Sequence, residues 1–162
     1  MTSQRTPVYL SLGSNIGDRA AYLRVAIARL ESCGHVTAVS SFYETEPVEF
    51  TEQAWFLNCA VELETSFEAA QLMRELLAIE QEMGRERVEK KGPRVIDIDI
   101  LLLGNAVVET AEVTIPHPAM ASRGFVLEPL AEIAPEVKHP VLGKTAREML
   151  EQLPAGQVVR RI

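Results

Sequence analysis

Val95-Ile96-Asp97-Ile98-Asp99-Ile100-Leu101-Leu102-Leu103 has the composition of a strand, with Gly92-Pro93 before it and Gly104-Asn105 after it. Two aspartates interrupt the apolar run. Side chains two apart share a face, so Asp97 and Asp99 project together while Ile96, Ile98 and Ile100 point to the core. Aspartate is disfavoured in strands and like charges on one face repel, so something positive is expected opposite the pair.

Outward from this strand, toward the N-terminus, the chain alternates between the two periodicities. Val8 to Leu12 reads as a short strand, and Gly13-Ser14-Asn15-Ile16-Gly17-Asp18 supplies turn and cap residues. Leu23, Ile27 and Leu30 mark a helix that Gly34 closes. Val36 to Tyr43 reads as a second strand and the polar Glu44 to Trp55, with Pro47, as a loop. Phe56 to Glu64 alternates, with Leu57, Cys59, Val61 and Leu63 on one side. Thr65-Ser66-Phe67-Glu68 has capping-box spacing and opens a helix striped by Leu72, Leu76, Ile79 and Met83. Gly84 ends it.

Beyond the aspartate strand, Val107-Val108 is expected to pair back across Gly104-Asn105 as a hairpin. Thr114-Ile115-Pro116-His117-Pro118 is too proline-rich for a helix. Phe125 to Ile133 and Lys144 to Leu153 are the remaining helices. The order β-α-β-β-α-β predicts an α+β, ferredoxin-like sandwich with an additional C-terminal hairpin and helices, one domain over residues 1–162.

Composition narrows the partners. The chain has 162 residues, 47% hydrophobic and 24% charged, with a formal net charge of −7. Such a surface repels nucleic acid, so an anionic ligand needs a local positive cluster. No apolar run reaches the ~18 residues that span a membrane, and Met1 to Pro7 lacks the apolar core of a secretory signal. Cys33 and Cys59 form no CxxC pair and read as buried structural thiols of a cytoplasmic protein.

The positive cluster lies next to the aspartates. Residues 85 to 94 hold Arg85, Arg87, Lys90, Lys91 and Arg94 against Glu86 and Glu89. Arginine forks match phosphate, and magnesium binds through one or two carboxylates plus substrate phosphates. Alone, an Asp-x-Asp reads as a solvated strand face and a basic stretch as a solvated loop. Adjacent to each other, they favour a nucleotide-and-metal site. There is no GxxxxGK[ST] P-loop and no protein-kinase signature.

Lys90-Lys91-Gly92-Pro93-Arg94-Val95-Ile96-Asp97-Ile98-Asp99-Ile100-Leu101 closely resembles the signature of the 6-hydroxymethyl-7,8-dihydropterin pyrophosphokinases of folate biosynthesis. The likeness continues in Leu12-Gly13-Ser14-Asn15, in Ser41 to Pro47 and in Phe56-Leu57-Asn58. It returns at Ile115-Pro116-His117-Pro118 and Arg123-Gly124-Phe125. It implies a ferredoxin-like fold and transfer of the β,γ-diphosphoryl unit of ATP, with AMP as the other product. By matched position Asp97 and Asp99 would hold two Mg2+ ions, and Arg85, Arg87 and Arg94 would contact the phosphates of ATP or gate the site. Glu80, Ile100, Thr114, His117 and Arg123 match nucleotide-binding positions. Thr45, Pro47, Val48, Phe56, Asn58 and Phe125 match the pterin pocket, where aromatic faces stack and an amide reads the edge. Plain core packing is the alternative for Phe56 and Phe125. Lys91 stands where many relatives carry tryptophan, and Leu77 and Glu112 replace a glutamine and an arginine found at the ATP site of some.

Two other functions fit the same topology. A regulatory module would bind a small ligand without chemistry, and would have no use for the aspartates and arginines together. An RNA-binding module would need a basic sheet face with exposed aromatics, which the charge of −7 opposes. The proton of the substrate hydroxyl goes either to Asp99 or, from a metal-bound hydroxyl, to solvent. A monomer is expected, and His35 and His139 read as surface or structural residues.

Overall fold

Thr6–Ser14 forms β1, the centre of a sheet, and its alternation sends Val8, Leu10 and Leu12 to one side. The structure is a computed structural model, and it describes residues 4–46, 55–84 and 95–162. After β1 comes α1, Arg19–Arg29, whose first turn is capped by the Asp18 carboxylate accepting from Ala21 N at 3.1 Å. A 3-10 turn, Leu30–Ser32, leads into β2, His35–Val39, and then β3, Tyr43–Thr45. Next are β4, Phe56–Thr65, and α2, Ala69–Met83. Then β5 is Asp97–Leu103, β6 Val108–Glu109 and β7 Thr114–Ile115. Two helices, α3 at Gly124–Ile133 and α4 at Ala146–Glu151, precede β8, Val159–Arg161.

The sheet runs β5-β1-β4-β3-β8, with β2 also on β4 and every pairing antiparallel. Both faces are covered. On the first, Leu23 and Ala26 of α1 and Leu72, Leu76 and Ile79 of α2 pack on Leu10, Leu12, Leu57, Val61, Ile98 and Ile100. On the second, Val126, Leu127 and Leu130 of α3 and Met149 of α4 pack on Tyr9, Ala60, Leu101 and Leu102. Each fully buried Leu contributes about 1.5–3 kcal/mol of transfer free energy, so the two apolar layers set the sheet between the helix pairs. No helix among the described residues is long and apolar enough to cross a membrane. Cys33 and Cys59 are both buried and free, and burial pushes the Cys59 thiol up to about 12.

Four local expectations are corrected. The strand expected over Val36 to Tyr43 is two strands, and Glu44 and Thr45, expected in a loop, belong to β3. Ser40 separates β2 from β3, because its hydroxyl accepts from Ala60 N at 2.8 Å in place of a ladder carbonyl. The capping box at Thr65 and Glu68 does not form. Thr65 ends β4, and its buried hydroxyl instead donates to Cys33 O at 2.7 Å and accepts from Phe67 N. A capping box does form at Thr145 and Glu148, which starts α4 at Ala146. Finally, β6 pairs forward with β7 rather than back across Gly104-Asn105. The Gly104 amide is held by Pro7 O, and the Thr110 hydroxyl accepts from Val113 N to close the β6–β7 turn.

Candidate functional site

Period two on three neighbouring strands builds the site. Asp97 of β5 lies opposite Gly13 of β1, Gly13 opposite Asn58 of β4, and Asn58 opposite Tyr43 of β3. Asp99 lies opposite Ser11 in the next row. All of these belong to the second face, since Leu12, Ile98 and Leu57 fill the first core. Strands sit about 4.8 Å apart, so the backbones of Asp97 and Asn58 are roughly 10 Å apart across β1. Gly13 keeps that gap open. A Cβ there would stand 2.6 Å from Asn58 Oδ1 and 3.5 Å from Phe56. Asn58 Nδ2 donates to Thr45 Oγ1 at 2.6 Å, and both residues are buried.

Asp97 and Asp99 are both half-buried on one face, as period two required. Between them, the Ile98 N–H on the outer edge of β5 donates to Glu80 Oε2 at 2.6 Å, which brings α2 to the same edge. The Ile100 side chain lies in the first core, so it presents only backbone to a ligand.

A bulge brings the next residues in. Tyr9 pairs with Leu102 but Leu10 with Ile100, so Leu101 is an extra residue. Its carbonyl takes the His117 N–H at 3.0 Å, which holds His117 beside β5. His117 Nδ1 accepts from Ala119 N at 3.1 Å, so the neutral ring carries its proton on Nε2. Burial lowers the His117 pKa, Asp99 opposes that, and Arg123 adds to it. Arg123 in turn lies 5.5 Å from the centre of the Phe125 ring, at the start of α3. Gln157 fixes that start by accepting from Gly124 N at 2.6 Å and donating to Ser122 O.

Thus Asp97, Asp99, Glu80, Asn58, Thr45 and Phe56 come together across β5, β1, β4 and β3, and His117 joins them. Thr114 is exposed on β7, and Leu77 is exposed on α2. Glu112 is engaged by Arg74 at 3.0 Å. His139 is structural, its Nδ1 accepting from Val141 N and Leu142 N, and His35 is exposed. Pro47, Val48, Arg85, Arg87, Lys91 and Arg94 lie outside the described residues.

Among the described residues no three acidic, histidine or cysteine side chains gather as a self-sufficient metal cage. The hard carboxylates of Asp97 and Asp99 fit magnesium, which takes one or two carboxylates and completes its shell with phosphate oxygen and water. Sequence reasoning missed Gly13 as a site residue. It was expected in the turn after Leu12, whereas β1 continues to Ser14, and a glycine inside a strand marks close approach of another group.

Known proteins resemble this chain over most of its length. A relative from Bacillus subtilis, a 2-amino-4-hydroxy-6-hydroxymethyldihydropteridine pyrophosphokinase, is 50% identical over 132 residues, 80% of this chain and 79% of its own. A Methylorubrum extorquens protein of the same name is 45% identical and covers 93% of this chain and 96% of its own. The solved Plasmodium falciparum HPPK-DHPS superposes with a TM-score of 0.72 at 16% identity, over 94% of this chain. This chain spans 45% of that longer one. The family model for 7,8-dihydro-6-hydroxymethylpterin-pyrophosphokinase matches residues 9–135. The chain belongs to the 7,8-dihydro-6-hydroxymethylpterin-pyrophosphokinase family.

Proposed function

We propose that the chain transfers the β,γ-diphosphoryl group of ATP to the hydroxymethyl oxygen of 6-hydroxymethyl-7,8-dihydropterin, releasing AMP, in folate biosynthesis. The observation that carries this reading is the row Asp97–Gly13–Asn58, which sets a carboxylate and a fixed amide about two strand spacings apart with no side chain between, with the second carboxylate, Asp99, in the next row. The high identity to pyrophosphokinases over most of the chain supports it.

Asn58 reads the pterin edge. One Nδ2 hydrogen goes to Thr45, which orients the amide so that Oδ1, over Gly13, is the acceptor for a pterin N–H. Phe56 and Phe125 supply aromatic faces for the bicycle together with Thr45, and by matched position Pro47 and Val48 contribute to the same pocket. Two magnesium ions on Asp97 and Asp99 would neutralise charge on the phosphates. Arg123 and the Nε2–H of His117 donate to the nucleotide, and Arg85, Arg87 and Arg94, which precede β5 in the sequence, add positive charge for the phosphates. Glu80, Thr114 and the backbone of Ile100 complete the nucleotide side. A new bond joins the hydroxymethyl oxygen to the β-phosphorus as the bond from that phosphorus to the α,β-bridging oxygen breaks, that oxygen leaving with AMP and the hydroxyl proton passing to Asp99 or to solvent. The strand order supports a ferredoxin-like arrangement, extended by α3, α4 and β8 in one domain over residues 1–162. We further assign the chain as a cytoplasmic monomer.

The test is AMP formation from ATP, magnesium and the pterin alcohol. Asp97→Asn and Asp99→Asn should each lower kcat at least about 100-fold while the chain stays folded. Near-normal turnover in either variant would sink the assignment.

A further inference from the structure

On the face of the sheet opposite the aspartates, a cleft of about 510 Å³ opens beside the start of α1, lined by Asn15, Gly17, Arg19, Glu44, Trp55 and Arg160. Arg19 dominates it. Its Nη1 donates to Trp55 O at 2.8 Å and its Nη2 to Glu44 Oε2 at 2.9 Å. Arg160 of β8 holds the other oxygen of Glu44 at 2.7 Å, and its guanidinium lies 4.9 Å from the centre of the Trp55 ring. The hydrogen bond from Arg19, reinforced by the one from Arg160, holds the Glu44 carboxyl below the usual carboxylate range. Both Arg19 and Glu44 are partly buried, with side chains 26% and 22% exposed.

The two groups that Arg19 joins have a particular place in the chain. Glu44 directly precedes Thr45 in β3, and Trp55 directly precedes Phe56 at the start of β4. These are the strand ends on which Thr45, Phe56 and Asn58 stand, and their ladder is the short pairing of Tyr43 with Asn58, Glu44 with Leu57 and Thr45 with Phe56. A three-residue strand has few ladder bonds to define its position, so a planar fork across its end adds a constraint that the ladder lacks. The side chains of Thr45 and Asn58 leave on the other face. Any play between β3 and β4 therefore appears as movement of the Asn58–Thr45 hydrogen bond.

We infer that Arg19 is a positioning residue for pterin recognition, a clamp behind the sheet that fixes β3 against β4 so that Thr45 holds the Asn58 amide in its binding orientation. The inference rests on the pterin reading of Asn58 given above. It separates the two substrates, because Arg19 and Glu44 lie on the first face of the sheet and Asp97 and Asp99 on the second.

The experiment uses the full chain and four forms: wild type, Arg19→Gln, Arg19→Lys and Arg29→Gln. Arg29 is also on α1 and, among the described residues, pairs with exposed Glu82, so its variant controls for loss of a surface ion pair. Arg19→Gln should raise the KM for the pterin alcohol about tenfold and leave the KM for ATP within about twofold. Arg19→Lys keeps the charge but not the fork, and should fall between wild type and Arg19→Gln. Trp55 is the single tryptophan, so acrylamide quenching of its fluorescence reports the clamp directly and should increase in the same order. The clamp is overturned if the pterin KM stays within about twofold of wild type, or if both KM values rise by the same factor. Should Arg19→Gln fail to fold, the same comparison with Arg19→Lys decides. A wild-type chain that makes no AMP would overturn the proposed function, and the quenching series would then decide the clamp alone.

Discussion

At Gly13 the absence of a side chain is a requirement of the neighbour. A Cβ would stand 2.6 Å from Asn58 Oδ1, closer than any packed contact, so the amide would have to leave its bond to Thr45 or β1 would have to shift. Gly13→Ala should therefore act like a partial loss of Asn58. The pterin KM should rise about tenfold, since about 1.4 kcal/mol of recognition corresponds to that factor, with the ATP KM little changed. Steady-state kinetics on both substrates checks this, and an equal rise in both KM values would show a general collapse of the sheet instead. The aspartates were legible because a carboxylate pair inside an apolar strand conflicts with its surroundings. Asn58 was legible only through the family pattern, and the closeness of Gly13 to it was not legible at all. That contact depends on the β1–β4 register, which no single segment encodes.

The elements show where local pattern stops deciding. The helices α1 to α3 sit close to where their apolar stripes put them, because a 3.6-residue stripe survives any packing partner. Strand ends did not, since Ser40, Thr65 and Leu101 take their roles from partners far along the chain. Glu132 of α3 is another such case. Its carboxylate accepts from Ser41 N at 3.1 Å, from the Ser41 hydroxyl and from Tyr43 OH at 2.6 Å, and Arg161 of β8 stands at 3.7 Å. One side chain thus joins α3 to β3 and β8. Burial alone would raise its pKa, but the hydrogen bonds from Tyr43 and Ser41 outweigh it and the carboxyl titrates below the ordinary range. The Tyr43 phenol is correspondingly pushed up to about 12 by burial and by this bond. For a carboxyl lowered in the folded state, the stabilisation is complete above the unfolded pKa, about 4.3 for glutamate, and is lost as pH falls through the lower folded value. Glu132→Gln should cost about 1–3 kcal/mol at pH 7 and progressively less in acid. Urea denaturation of both proteins at pH 7 and pH 3 measures the difference, and a gap that does not shrink in acid would contradict the charge-assisted role.

Across the whole molecule, the helices divide the work between the two faces. On the first face α1 and α2 cover the apolar rows fully, whereas on the second α3 and α4 cover Tyr9, Ala60, Leu101 and Leu102 and leave Asp97, Asp99 and their row to other partners. The sequence showed which residues alternate, but not that a C-terminal helix pair would stop short of the aspartates. Nor did it show β8, because three residues with two arginines read as tail until β3 is there to receive them. The same division makes stability a readout of the site. On a chain of net charge −7, two half-buried carboxylates on one strand face repel each other without a cation. Asp97→Asn removes that repulsion, so without magnesium its melting temperature should equal or exceed that of wild type. With magnesium and a non-hydrolysable ATP analogue the order should reverse. At ligand concentrations about 100 times Kd, wild type gains about 2.7 kcal/mol by mass action, while the variant, binding weakly, gains little. Melting curves for the two proteins with and without both ligands give four values, and the crossing is the prediction. If Asp97→Asn gains as much from magnesium and the analogue as wild type does, Asp97 does not hold the metal.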